Sequence, residues 1–109
     1  MVSGGNVRIV FVTCASLTEA RRIAKALIRK RLAACVSTIL GPVQSIYRWK
    51  DKVETTREHL LIIKTSKKCL PQVEKDVRRW HSYDVPEFLV LSVSAASREY
   101  LQWIGSSLK

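Results

Sequence analysis

The stretch VRIVFVTCASLTEARRIAKAL, residues 7–27, places a short apolar segment directly before an amphipathic one. Residues 7–13 are mostly β-branched and apolar at consecutive positions, which is typical of a strand that is covered on both faces. Ser16 and Glu19 then have the spacing of a capping box, in which each side chain accepts a hydrogen bond from the other residue's backbone N–H. The stretch therefore predicts a strand followed by a helix with one apolar face.

The rest of the chain continues this alternation in an order that indicates the fold. Further strands are predicted at residues 35–40, 43–49, 53–65 and 88–93, with a break at Gly41-Pro42 and a turn at residues 50–52 in which Asp51 takes the left-handed conformation. A second helix carries Leu70, Val73, Val77 and Trp80 on one side, and a third begins after Ser97. The order β-α-β-β-α-β, with a C-terminal helix, predicts an α+β ferredoxin-like sandwich with a long hairpin between the second and third strands. Residues 1–6 are expected to form a flexible leader, and residues 7–109 a single domain.

Three of the predicted strands are apolar at consecutive positions, in residues 9–12, 60–63 and 88–91. A solitary ferredoxin-like sheet packs its helices on one face and leaves the other face to water. Exposing about six large side chains there would forgo on the order of 10 kcal/mol of burial energy. We therefore expect a second copy of the chain to cover this face. The alternative is that the C-terminal helix folds back over it.

The composition excludes several classes of protein. No apolar run reaches the roughly 18 residues of a membrane span, and residues 1–6 lack the apolar region of a signal peptide. The three cysteines are widely spaced and form no CxxC pair, which argues against disulfides and a structural zinc site. We expect a cytoplasmic protein with reduced thiols. The net charge of +10 leaves a basic nucleic-acid-binding module of ferredoxin-like fold as an alternative function, and a solvated basic surface as the simpler interpretation.

Several segments resemble the CutA divalent-cation tolerance family, and the resemblance covers residues 7–107. They are KRLAACV at residues 30–36, SIYRWK at 45–50, LIIKT at 61–65, Pro86-Glu87, and YLQWI at 100–104. The resemblance implies a homotrimer similar in shape to the PII signalling proteins, with the sheets packed around a threefold axis. It also implies binding of copper or another small ligand and a part in the response to metal ions. Since no hydrolase, metalloprotease or phosphate-loop motif is present, we expect a binding protein and not an enzyme.

The resemblance also carries over candidate metal ligands. Cys14 and His81 match residues linked with copper binding in bacterial relatives, and thiolate and imidazole are donors that suit copper. Glu87 is a weaker candidate as an oxygen donor. Some relatives have a further histidine where this chain has Trp80, and commonly a proline where it has Ser82. The alternative is that Cys14 is a small buried apolar residue and His81 a helix C-terminal residue favoured by the helix dipole.

A second candidate site is a cleft between subunits, where small ligands tend to bind. The resemblance brings aromatic and ionisable residues towards this cleft, namely Tyr47, Trp49, Lys64, Tyr83 and Trp103. Interface packing is the alternative for the aromatic residues, because tyrosine and tryptophan are enriched at protein contacts.

Overall fold

The computed structural model describes residues 1–109 and folds them into seven strands and three helices. In chain order these are β1 (Val2–Ser3), β2 (Val7–Cys14), α1 (Leu17–Arg29), β3 (Cys35–Thr38), β4 (Val43–Trp49), β5 (Lys52–Ser66), α2 (Leu70–Trp80), β6 (Leu89–Ser92), β7 (Ala95–Ala96) and α3 (Arg98–Ser107). Strands β3, β5, β2 and β6 lie side by side in that order, and each neighbouring pair is antiparallel. This confirms the predicted α+β ferredoxin-like fold with a C-terminal helix. None of the helices has both the length and the apolar character needed to cross a membrane.

The core lies between one face of the sheet and the helices α1 and α2. Alternate residues of β2 and β5 point to this face and are fully buried against the apolar sides of the two helices. These buried side chains are Val10, Val12, Leu61, Ile63, Ile23, Leu27, Val73 and Val77. The helical apolar stripes predicted from three- and four-residue spacing therefore supply half of this core.

The opposite face of the sheet is also apolar, as the consecutive hydrophobic positions predict. Ile9 lies directly opposite Leu91, and Phe11 lies opposite both Leu89 and Ile62, so these side chains share one face. Leu89 and Leu91 keep 56% and 40% of their surface exposed in the single chain. We call this surface, made by Ile9, Phe11, Ile62, Leu89 and Leu91, the outer face.

The C-terminal helix is attached at one end of the domain. Ile104 is buried, and the Lys109 N–H donates to the Arg31 carbonyl. The Arg31 guanidinium in turn donates to the carbonyl oxygen of Ser106 at 2.9 Å. These contacts hold α3 while Leu89 and Leu91 remain exposed, so the alternative in which this helix covers the outer face does not account for those two residues.

The long hairpin extends beyond the sheet as an arm. Strand β4 pairs only with the first half of β5, and the second half of β5 pairs with β2 and β3. Lys50 and Asp51 form a two-residue turn in which both have positive φ, 50° and 65°. The left-handed conformation predicted for Asp51 is confirmed, and Lys50 shares it. Several strand ends differ slightly from prediction, since β3 stops at Thr38 and β5 starts at Lys52.

The first residues of the chain pair with a segment near its end. Val2 lies opposite Ala96 and Ser3 opposite Ala95 in a two-stranded ribbon. The Gly4 backbone packs so closely on Val93 that a side chain there would meet the Val93 carbonyl. The first strand of this ribbon, β1, lies within the residues expected to form a flexible leader, and no sequence pattern predicts it. The division into a leader and a single domain stays a prediction.

A salt bridge with one buried partner joins the end of α1 to α2. The Lys30 ammonium lies 2.8 Å from the buried Asp76 carboxylate, and the Gln72 amide donates to the same group at 2.9 Å. Burial opposes ionisation of Asp76, but these two hydrogen bonds and the positive charges of Lys30 and Arg79 together outweigh it and lower the pKa of this carboxyl. A lowered folded-state pKa gives stability that is present above the unfolded pKa and is lost as the pH falls through the folded pKa.

Replacing Asp76 by Asn should therefore weaken the fold in a pH-dependent way. We expect the free energy of unfolding to fall by about 1–3 kcal/mol near pH 7, because Lys30 loses its charged partner. The difference from the wild type should shrink below about pH 4, where the unfolded carboxyl is protonated. Urea unfolding of the wild type and the variant, at matched protein concentration, measures the difference in unfolding free energy at each pH. Glu74→Gln is the control, because its pair with Arg78 is exposed and 3.8 Å long. If Asp76→Asn lowered the free energy of unfolding equally near pH 7 and below about pH 4, the assigned ion pair would be contradicted.

Candidate functional site

Three potential metal ligands meet where β2 ends. Cys14 is the last residue of β2, Glu19 lies in the first turn of α1, and His81 follows the last residue of α2. The Cys14 sulfur, a Glu19 carboxylate oxygen and a His81 ring nitrogen all lie within 4.8 Å of one another. The two residues predicted as ligands are thus neighbours, and the fold adds Glu19 to them.

Hydrogen bonds fix the orientation and the tautomer of the His81 ring. Its Nε2 lies 2.7 Å from the Thr13 carbonyl oxygen, which only accepts, so Nε2 carries the hydrogen. The Tyr83 N–H donates to Nδ1 at 3.0 Å, so Nδ1 presents its lone pair. Both ring nitrogens are therefore engaged, and the side chain is completely buried.

Glu19 takes a different partner from the one its sequence spacing predicts. The Ser16 hydroxyl accepts from the Glu19 N–H at 3.1 Å, which confirms the first half of the capping box. The second half is wrong, because Glu19 Oε1 accepts from the Ser82 N–H at 3.0 Å instead. The segment after α2 packs against the start of α1 and offers this N–H. The other oxygen, Oε2, is buried without a hydrogen-bond partner and lies 3.8 Å from His81 Nδ1.

The electrostatics of this group favour a proton or a cation at its centre. Burial, followed by the negative charge of Glu19, raises the pKa of the Cys14 thiol to about 12. At neutral pH the thiol is protonated, and the Glu19 oxygen and the His81 Nδ1 face each other as acceptors. Sulfur, imidazole nitrogen and an unpaired carboxylate oxygen form a donor set that fits a transition-metal ion.

A cleft of about 680 Å³ opens beside this group. It lies between the hairpin arm and the segment before β6, and Thr13 and Glu58 are its most buried members. Its lining residues are Thr13, Ser45, Ile46, Tyr47, Trp49, Glu58, Tyr83, Asp84, Val85, Pro86 and Glu87. The Tyr83 ring packs on the His81 ring with 4.8 Å between centroids, so the cleft and the metal-ligand group share a wall.

The predicted pocket residues divide between this cleft and two other places. Tyr47, Trp49 and Tyr83 line it together. Lys64 lies on the outer side of β5, where its ammonium donates to the Ser37 hydroxyl at 2.6 Å. Trp103 packs on Tyr100 within α3, with ring centroids 5.5 Å apart. The position of Lys64 and Trp103 in a cleft between subunits stays a prediction.

The sequence did not predict two of the acidic residues at these sites, Glu19 and Glu58. A third, Glu87, was predicted as a metal ligand but lies outside the metal-ligand group. Glu87 lines the cleft and is not part of the group of Cys14, Glu19 and His81. Glu19 has the spacing of a helix cap, and Glu58 lies in the polar part of a hairpin strand, so neither has a sequence signal for a site. Only the tertiary fold brings them to these positions.

Comparisons with known proteins agree with the fold. The sequence model of the family described as "CutA1 divalent ion tolerance protein" matches residues 8–107. The divalent-cation tolerance protein CutA of Thermus thermophilus is 43% identical over 96 residues, which are 88% of this chain and 92% of that protein. Human Protein CutA is 42% identical over 100 residues, which are 92% of this chain and 55% of the human protein.

Solved structures show the same similarity. The structure of the divalent cation tolerance protein from Thermus thermophilus superposes with a TM-score of 0.91 at 40% identity, covering 94% of this chain and 99% of that one. A structure from Archaeoglobus fulgidus, described as a periplasmic divalent cation tolerance protein CutA, gives a TM-score of 0.90 at 34% identity with the same coverage. None of these relatives is described as binding nucleic acid, so the names give that alternative no support.

The raised pKa of Cys14 predicts an unreactive thiol. With a pKa of about 12 and no exposed surface, only about one Cys14 in ten thousand is a thiolate near pH 8. Iodoacetamide should therefore leave Cys14 unmodified in the folded protein and modify it fully in concentrated guanidinium chloride. Peptide mass spectrometry after timed quenching measures this. Rapid labelling of native Cys14 would show that the thiol is neither buried nor held protonated.

Proposed function

Because this chain belongs to the CutA1 divalent ion tolerance family, we propose that it binds copper through Cys14, Glu19 and His81 and takes part in the response to metal ions. The observation that supports this most is the buried Glu19 Oε2, which has no hydrogen-bond partner and faces the unprotonated Nδ1 of His81. Buried polar atoms are rarely left without a partner, and an orphaned oxygen beside nitrogen and sulfur suits a cation.

Each ligand would have a distinct part in holding the ion. Cys14 would supply a thiolate, the soft donor that favours copper(I), and a bound ion would supply the positive charge that stabilises it. His81 would coordinate through Nδ1, while its Nε2–H bond to the Thr13 carbonyl fixes the tautomer and the ring orientation. Coordination would replace the hydrogen bond that the Tyr83 N–H now donates to Nδ1.

Glu19 would be the oxygen donor of the site. Glu87, the oxygen donor expected from the sequence, lines the cleft and lies outside the three-residue group. Glu19 would take the place of the further histidine that the resemblance implies for some bacterial relatives, since Trp80 cannot coordinate and is partly exposed under the Arg79 guanidinium. The alternative small-ligand function would use the neighbouring cleft lined by Tyr47 and Trp49.

The proposal includes the assembly, the location and the absence of catalysis. A homotrimer with the outer faces packed together would bury Leu89 and Leu91, which one chain leaves exposed. We propose a cytoplasmic location, although the related Archaeoglobus fulgidus structure is described as periplasmic. We also propose binding without catalysis, because the family description names tolerance to divalent ions and no reaction.

Copper(I) titration against a competing chelator tests the metal site. We expect one copper per wild-type chain, and an affinity that rises about tenfold per pH unit between about pH 6 and 9, because binding releases the Cys14 proton. Cys14→Ser should weaken binding by a factor of roughly 100, since changing a residue that only supports a ligand already costs about 10–100-fold and this change removes a ligand. Glu19→Gln, which keeps an acceptor for the Ser82 N–H, should weaken it less.

Cys35→Ser is the matched control for the metal site. Cys35 is a second thiol on a strand but lies outside the group, so this variant should bind copper with wild-type affinity. Equal affinities for the wild type, Cys14→Ser and Glu19→Gln would exclude the assigned ligands. A loss of affinity with Cys35→Ser alone would move the site to another part of the sheet.

Sedimentation equilibrium tests the assembly. The wild type should sediment at about three times the chain mass of 12.4 kDa at micromolar concentration. Leu89→Glu should shift the protein towards single chains, because it places a charge in the proposed interface. Ile28→Glu is the control, since Ile28 is comparably exposed but lies on α1, across the sheet from the outer face. A folded wild type of single-chain mass would overturn the homotrimer.

A further inference from the structure

The cleft beside the metal-ligand group is anionic in a strongly basic chain. Three of the nine acidic residues line it, Glu58, Asp84 and Glu87, whereas none of the 19 lysines and arginines does. A chain of net charge +10 repels cations at long range, so an attraction for cations must come from a local arrangement of this kind.

Glu58 is the strongest sign that a cation belongs in the cleft. It is only 6% exposed, yet the salt bridges that lysine and arginine form in this chain join other residues, Lys30 with Asp76 and Arg78 with Glu74. Its polar neighbour is the Tyr83 hydroxyl, which is a neutral hydrogen-bonding group and supplies no positive charge. A buried carboxylate is costly without a positive partner. The chain itself offers none here.

The negative charge of Glu58 affects the ionisation of Glu87, the second carboxyl group of the cleft. Burial, followed by the negative charge of Glu58, raises the pKa of Glu87. Both carboxylates line the same cleft, so the Glu58 charge opposes ionisation of Glu87. A positive group placed between them would relieve this repulsion.

The walls of the cleft distinguish an organic cation from a metal ion. Glu58, Asp84 and Glu87 do not form a compact set of metal ligands, since the one such set in the chain is Cys14, Glu19 and His81. Tyr47, Trp49 and Tyr83 instead line the cleft with aromatic rings. Aromatic faces attract ammonium groups and pack on their carbon chains. A cleft of about 680 Å³ also exceeds what a bare ion requires and lies in the range of small-molecule sites.

We propose that this cleft binds a small aliphatic amine with two or three ammonium groups, one paired with Glu58 and another with Glu87 or Asp84. The carbon chain between them packs on Tyr47 and Trp49. This inference deepens the small-ligand part of the proposed function and is independent of the metal part, which uses different side chains.

Calorimetric titration with spermidine tests the amine site. The wild type should bind it with saturable heat at physiological salt, and 1,4-butanediol, which is neutral, should give none. Glu58→Gln should weaken spermidine binding at least about tenfold, because it removes a buried charge-assisted contact. Trp49→Leu should weaken it about threefold or more through the lost cation–π contact. Glu74→Gln, which removes one exposed carboxylate outside the cleft, should leave the affinity unchanged.

The variants also separate this inference from the metal proposal. Glu58→Gln should fold, because it removes an uncompensated buried charge while keeping the shape, and thermal unfolding by circular dichroism verifies this. Trp49→Leu should retain wild-type copper affinity, because Trp49 lines the cleft and is not part of the metal-ligand group, whereas Cys14→Ser should retain wild-type spermidine affinity. Absence of saturable spermidine binding, or equal binding by the wild type, Glu58→Gln and Trp49→Leu, would overturn the amine site whatever the copper result.

Discussion

The antiparallel pairing of β2 with β5 is the constraint on which the rest of the molecule depends. It runs without a break from Val7 opposite Ser66 to Cys14 opposite His59. Alternate side chains supply the helix-covered core and the outer face, so both surfaces of the sheet are set by one pairing. The same pairing carries β2 to its end at Cys14, and thereby places the thiol beside the first turn of α1. The positions of the core, the exposed outer face and the candidate metal site therefore all follow from the pairing of β2 with β5.

The order of elements could be predicted from the sequence because each element carries its own local pattern. Consecutive apolar residues, helical stripes and the Ser97 cap all act within a few positions, and the structure places strands and helices accordingly. Boundaries were less accurate, as at Thr38 and Lys52, because strand ends depend on the partner strand. The β1–β7 ribbon had no pattern at all, since two-residue strands carry too few side chains to show alternation.

The candidate sites were only partly predictable because they join distant parts of the chain. Cys14 and His81 could be carried over from a family resemblance, but the spacing of Ser16 and Glu19 indicated a purely local cap. Ser82, which lies 63 positions further along, took the Glu19 oxygen instead. Likewise, the net charge of +10 suggested an attraction for polyanions, whereas the cleft gathers carboxylates from the hairpin and the segment before β6. The net charge of a chain does not predict where the fold brings several carboxylates together.

The segment from His81 to Glu87 connects the two sites physically. The Tyr83 backbone donates to His81 Nδ1, while the Tyr83 ring forms part of the cleft and lies near Glu58. An ion at Nδ1 would remove that backbone hydrogen bond, and a ligand in the cleft would press on the same tyrosine. Since both events act on one residue, their binding free energies need not be independent. The Ser82 N–H also ties this segment to Glu19 Oε1, so Tyr83 lies between a backbone group anchored at the metal-ligand group and a ring that lines the cleft.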